Sequence, residues 1–173
     1  MRPPVFLLLP LLAAPLAAQR PRAVIVVPGQ ITQVITDTLG TPYEVPFAPS
    51  RVFAALLAVY RELKVPLQVQ DSVTLQAGSA TFHRQGSFAG GQISTWLGCG
   101  DGVTGPNADS YRVYMILNST IQPSGADRSL LRTVYLAGAV SQSGASNQPM
   151  PCESTGRLEM KIHKMVLKAA AGL

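Results

Sequence analysis

Charge is scarce in this chain. Of its 173 residues only 13% are Asp, Glu, Lys or Arg, and the balance of +5 contains no block of lysines or arginines. A surface built for nucleic acid needs many cations set against phosphates, so that class is set aside; the mild excess supports at most a weak pull toward anionic surfaces. Histidine is rarer still, with His83 and His163 in separate segments, which leaves few bases for proton transfer. Long apolar runs are missing too. Val5 to Leu16 holds 12 uncharged residues broken by Pro10 and Pro15, short of the roughly 20 that cross a bilayer as a helix. No Gly-x-Ser-x-Gly elbow, His-Glu-x-x-His pair, phosphate loop or dinucleotide fingerprint occurs, so no motif implies a cofactor or a metal.

What is present begins at the first residues. Met1-Arg2 supplies a positive start, Val5 to Leu16 an apolar stretch, and Ala17-Ala18 small residues suited to cleavage before Gln19. Residues 1–18 are therefore expected to be a secretory signal peptide. Leu16-Ala17-Ala18 is similar to the segment ahead of the acylated cysteine of bacterial lipoproteins, but Gln19 has no thiol to acylate. The expectation is an exported chain, periplasmic or extracellular, soluble and not lipidated, without a transmembrane anchor.

Only two cysteines occur, Cys99 and Cys152, both beyond the expected cleavage site. Three chemistries compete for Cys152. A thiol just ahead of a helix has its thiolate favoured by the helix dipole, which would suit a nucleophile. No Cys-x-x-Cys pair accompanies it, and His163 lies 11 residues along the same expected helix, about 16 Å away, too far for a shared metal or a proton. Zinc from Cys99, Cys152, His83 and His163 would lack the short paired spacings of structural sites. An oxidising compartment favours the third reading, a Cys99–Cys152 disulfide whose loop closure is worth about 4 kcal/mol.

Hydrophobic residues make up 47% of the chain, enough for a core. Ala23 to Val27 and Ile31 to Thr36 are β-branched runs and predict strands, while Pro42, Pro46 and Pro49 predict a connecting loop over residues 39–49. Val52, Phe53, Leu56, Leu57, Val59, Tyr60 and Leu63 fall on one arc of a helix that starts at Pro49 and ends before Pro66. Leu67–Gln70, Ser72–Gln76 and Ala80–Gln85 have strand character and predict a meander; Ile93, Trp96 and Leu97 fit either a helical turn or a strand end. Tyr111 to Gln122 and Leu130 to Val140 predict an antiparallel pair, with Tyr111, Val113, Met115 and Leu117 on one face and Arg112, Tyr114 and Ile116 on the other. Ala137, Gly138 and Ala139 leave room for a helix to approach. Ser154 or Thr155 is expected to cap a last helix with Leu158, Ile162, Met165, Val166 and Ala169 facing the core. The expected fold is α+β: an antiparallel sheet with two helices, about 49–64 and 154–170, on one face. Residues 19–48 read as N-terminal strands and a proline-rich connection, and 49–173 as a single domain.

Few residues point to chemistry. Asp101, Asn107 and Asp109 share a Gly/Pro-rich loop, conceivable as a calcium site, but the spacing matches no calcium loop and such side chains more commonly bond turn backbone. Asn118-Ser119-Thr120 is a glycosylation sequon inside a predicted strand, and His83 reads as a solvent-facing strand residue. Arg157, Lys161, Lys164 and Lys168 line one side of the last helix, as a solvated face favoured by the helix dipole or as a contact for an anionic surface.

The spaced elements RVFAAL…Y…L.VP, CG, ADSYRV and C.STG.LE, over about residues 50–162, resemble those of small, uncharacterised exported bacterial envelope proteins. The element order is also loosely similar to the domains of one lipoprotein of the outer-membrane β-barrel assembly machinery, whose acylated cysteine Gln19 does not supply. Three functions follow as expectations. The first is a non-catalytic envelope domain that binds a protein or other macromolecular partner through Tyr114, Ile116 and Val134. The second is a carrier of a small apolar ligand in a cavity between helix and sheet, and the third a hydrolase-like enzyme built around Asp101, Asp109 and His83.

Overall fold

The computed structural model describes residues 23–26, 33–36, 40–143 and 149–173; the expected signal peptide and Gln19 lie outside them. The first β-branched run forms β1 (Ala23–Val26), paired antiparallel with β2 (Gln33–Thr36) so that Ala23 opposes Thr36. The proline-rich stretch is more than a connection. Within it, β3 (Pro42–Val45) joins the main sheet, and Val45 is fully buried. Proline is tolerated there because Pro42 is the first residue of a short strand on a ladder edge.

Pro49 then opens α1 (Pro49–Glu62), its fixed φ suiting the first turn. The helix stops where Lys64 turns left-handed, at φ 57°, so that Lys64 N donates to Arg61 O and Val65 N to Tyr60 O. That pairing satisfies end carbonyls in a position usually given to glycine.

A hairpin follows, β4 (Val69–Asp71) and β5 (Gln76–Gln85). The strand expected over Ser72–Gln76 is instead mostly a turn, Ser72–Leu75. Asp71 makes it: Oδ1 accepts from Val73 N at 2.8 Å and Thr74 N at 3.2 Å, and Oδ2 accepts from the Thr74 hydroxyl at 2.7 Å. Those bonds hold the exposed Asp71 carboxyl below its ordinary value of 3.8. Two very short strands, β6 (Ser87–Phe88) and β7 (Gly91–Gln92), meet through Ala89 and Gly90, both left-handed. Both alternatives for the Trp96 region are then realised in succession, a 3-10 turn at Ile93–Thr95 followed by β8 (Leu97–Gly98).

After a small hairpin of β9 (Asp101–Gly102) and β10 (Gly105–Pro106) and one turn of helix, α2 (Asn107–Ser110), come the two longest strands. These are β11 (Arg112–Pro123) and β12 (Ser129–Val140), paired throughout from Arg112 opposite Val140 to Pro123 opposite Ser129. The chain closes with β13 (Met150–Ser154) and α3 (Arg157–Ala171). The left-handed Gly156, at φ 75°, delays the last helix beyond the expected Ser154 or Thr155 start. Ser154 Oγ still accepts from Gly156 N at 3.1 Å and donates to Glu159 at 2.6 Å.

The main sheet is antiparallel, in the order β4-β5-β11-β12-β13-β8, with β3 sharing the outer edge of β12 beside β13. A Cβ at Gly78 would collide with the Leu117 and Asn118 backbones, so glycine lets β5 and β11 close on each other next to their register shift.

All described helices add to one core cluster with the inner sheet face: Leu56 and Tyr60 of α1, Ile93 of the 3-10 turn, Ala108 of α2, and Leu158, Ile162 and Val166 of α3 pack with Val113, Met115, Leu117 and Leu131. The fold is α+β, with α1 and α3 on one face of the sheet as expected. On α3 the buried stripe is Leu158, Ile162, Val166 and Ala170, with Met165 partly buried and Ala169 exposed. The buried hydroxyls of the core are chained to one another, while Asn118 Oδ1 and Glu159 Oε2 are buried without a partner. Tyr60 Oη bonds Ser119 Oγ at 2.6 Å, and Ser119 Oγ bonds Thr133 Oγ1 at 2.6 Å. Burial raises the Tyr60 and Tyr135 hydroxyl pKa values well above the usual tyrosine range, with the nearby Glu159 charge adding to the effect.

Candidate functional site

Cys99 and Cys152 are bonded to each other, which answers the thiol question in favour of the crosslink. Local ladders bring them together. Glu153 opposes Gly98 and Ser154 opposes Leu97, while Thr155 N and Oγ1 both donate to Trp96 O, at 3.0 and 3.1 Å. Trp96 is anchored in turn by its Nε1 donating to Phe88 O at 2.8 Å. The disulfide thus staples the segment carrying Trp96 to the strand that feeds α3.

Asp109 of the acidic loop is taken up by the 3-10 turn. Asp109 accepts from Ser94 N at 2.8 Å and from Ser94 Oγ at 2.6 Å, and the buried Asn107 donates to Cys99 O at 3.3 Å. Asp101 is exposed in its hairpin, and His83 is exposed on β5, its ring tilted against Tyr114 with centroids 5.8 Å apart. Among the described residues no group of three His, Cys, Asp or Glu side chains is placed to hold a metal. His163 stacks on Tyr43, with ring centroids 4.7 Å apart, and its Nε2 lies 3.3 Å from Glu44 O, far from any thiol role. Asn118 is mid-strand between β5 and β12 with its amide oxygen buried, an awkward acceptor for a glycan.

Two surfaces stand out among the described residues. The first is the outer sheet face, where the register aligns Tyr114 with His83 and Gly138, Ile116 with Leu136, and Asn118 with Val134. Strand alternation alone puts these side chains opposite the core. Tyr114, Val134 and Leu136 are half-buried. Ile116 departs from the expectation of an exposed contact: it is only 7% accessible and forms the floor of the patch rather than its crest, opposite Leu136 on β12 and at the register shift with β5. It does not belong to the inner core cluster, and no described helix contributes to its face.

The second surface lies on the helix side, a groove of about 860 Å³ between the C-terminal halves of α1 and α3 and the β6–β7 turn. Of the four cations expected to act together on α3, Lys161 and Lys168 line this groove, whereas Arg157 and Lys164 are exposed outside it. Arg84 and Lys64 join the first two, and periodicity along one helix could not have found them because they come from β5 and from the end of α1. Between the helices and the sheet, where a ligand cavity was conceivable, Tyr60, Leu56, Met115, Leu117 and Ile162 pack fully buried.

Among the described residues no helix is long and apolar enough to cross a membrane. Comparison with known proteins returns no match to a family model, to a curated protein or to a solved structure.

Proposed function

We propose that this chain is an exported, non-catalytic envelope domain whose outer sheet face binds a protein partner. The observation that carries the reading is the apolar centre of that face, Tyr114, Ile116, Val134 and Leu136, lying opposite every described helix. Apolar sheet surface of this kind marks an interaction site, because leaving it in water forgoes about 25 cal/mol per Å² that a partner would recover. Arg112 and Arg132 flank the patch on β11 and β12 and supply the polar rim typical of such interfaces. A resemblance to small exported envelope proteins is consistent with the same reading, as is the disulfide, a bond that persists in oxidising compartments.

The test is site-specific photocrosslinking in the producing cell, with the probe at Val134 and a control at the exposed Arg61 on the helix side. A discrete adduct at Val134 and none at Arg61 is expected; equal, diffuse adducts at both positions, or none at either, would count against the reading. Mass spectrometry of the same sample checks export. Its expected first residue is Gln19, and a chain starting at Met1 would contradict it.

A further inference from the structure

The groove between α1 and α3 has a charge pattern that packing alone does not require. Four cations line it, Lys64, Arg84, Lys161 and Lys168, against a single acidic side chain, Glu62. The two helices present their C-terminal ends here, each worth about half a negative charge, which narrows but does not cancel the excess of side-chain cations. Among the described residues none of the four cations is paired with a carboxylate. Beneath them the groove is partly apolar, with the edges of the nearly buried Val59, Leu63 and Phe88 and the half-buried Met165.

Two of the cations are held in place. Arg84 donates through Nη2 to Lys64 O at 2.7 Å and through Nη1 to His83 O at 2.8 Å, and its guanidinium lies 5.2 Å from the Phe82 ring and 5.9 Å from the Phe88 ring. Lys161 Nζ donates to Ala89 O at 2.8 Å and sits 5.3 Å from the Trp96 ring. The carbonyls that brace them belong to Lys64 and Ala89, with φ of 57° and 51°, two of the three non-glycine left-handed residues in the described chain. Such backbone is costly for any residue with a Cβ, which crowds the following carbonyl. Both instances hold a cation at the same groove. After these bonds the guanidinium keeps three unused N–H donors and the ammonium two.

We propose that this groove binds an anionic amphiphile, a single acyl chain lying on the apolar floor with its carboxylate met by Arg84 and Lys161. The chain accounts for the apolar part of the lining, and the excess of side-chain cations favours a carboxylate over a neutral head group. A groove of about 860 Å³ also falls in the size range of small-ligand sites. This site lies on the opposite side of the sheet from the proposed partner face, and neither depends on the other.

The molecule carries its own reporter, since Trp96 is its only tryptophan and lies under Lys161. Dodecanoate, kept below its micelle concentration, is titrated into the oxidised full chain while Trp96 fluorescence is read; dodecanol and acetate serve as chain-only and head-only comparisons. Saturable 1:1 binding of dodecanoate is expected, with dodecanol and acetate each at least about tenfold weaker, the loss that goes with a charge-assisted bond or a buried chain. Lys168→Met, which removes a charge but no described hydrogen bond, is expected to weaken dodecanoate without moving the unfolding midpoint. Lys161→Met should weaken it further. No saturable binding of dodecanoate, dodecanol binding as tightly as dodecanoate, or unchanged affinity in both lysine variants would overturn the assignment.

Discussion

The two faces of the β11–β12 pair are made of alternate residues of the same strands, yet they meet different fates. On the inner face Val113, Met115, Leu117 and Ile121 are covered by α1 and α3, and even the hydroxyls of Ser119 and Thr133 find partners. On the outer face Tyr114, Val134 and Leu136 stay half-buried, and none of them belongs to the core cluster that the described helices join. One residue of register separates the helix-covered core from a face that no described helix joins.

The largest effect should come from the covalent staple at the sheet margin. Replacing both Cys99 and Cys152 by Ser is expected to cost about 4 kcal/mol in denaturant unfolding. If the inner face is the core, Leu117→Ala follows at about 3 kcal/mol, read as a lower midpoint with an unchanged slope. The inner face also predicts an alkaline limb. Tyr60 and Tyr135 have folded pKa values raised by burial, so their contribution is intact below the unfolded tyrosine pKa of about 10 and is lost as pH rises above it. A Tyr60→Phe/Tyr135→Phe double variant should flatten the fall in stability above pH about 10, even if its stability at neutral pH is lower. The smallest effect lies far from both faces, at the Asp71 turn. Its carboxyl titrates below 3.8, so its stabilising bonds are present above that value and fade as pH falls through the folded pKa; an NMR titration reads this directly.

Periodicity carried the reading of α1 and of the β11–β12 hairpin, whereas the disulfide was read from a lone cysteine pair in a chain expected to reach an oxidising compartment. It missed β3, since three prolines in residues 39–49 look like a loop until an edge strand with Pro42 at its start is found to satisfy them. It also read Ser72–Gln76 as strand, because β-propensity does not show that Asp71 will bond three groups of the following turn. The groove was half legible. Lys161 and Lys168 stand out on α3, but Arg84 and Lys64 reach the same place only through tertiary packing, and the left-handed Lys64 and Ala89 carry no local signature.

The sharpest measurement uses neighbours one residue apart. Met115→Ala and Tyr114→Ala are compared by equilibrium unfolding in denaturant, since they delete large side chains from opposite faces of one strand. Met115→Ala should lose about 2–5 kcal/mol and Tyr114→Ala less than about 1 kcal/mol, with equal slopes. Equal losses would mean that the chain covers both faces itself, and the outer surface would then be a second core with no room for a partner.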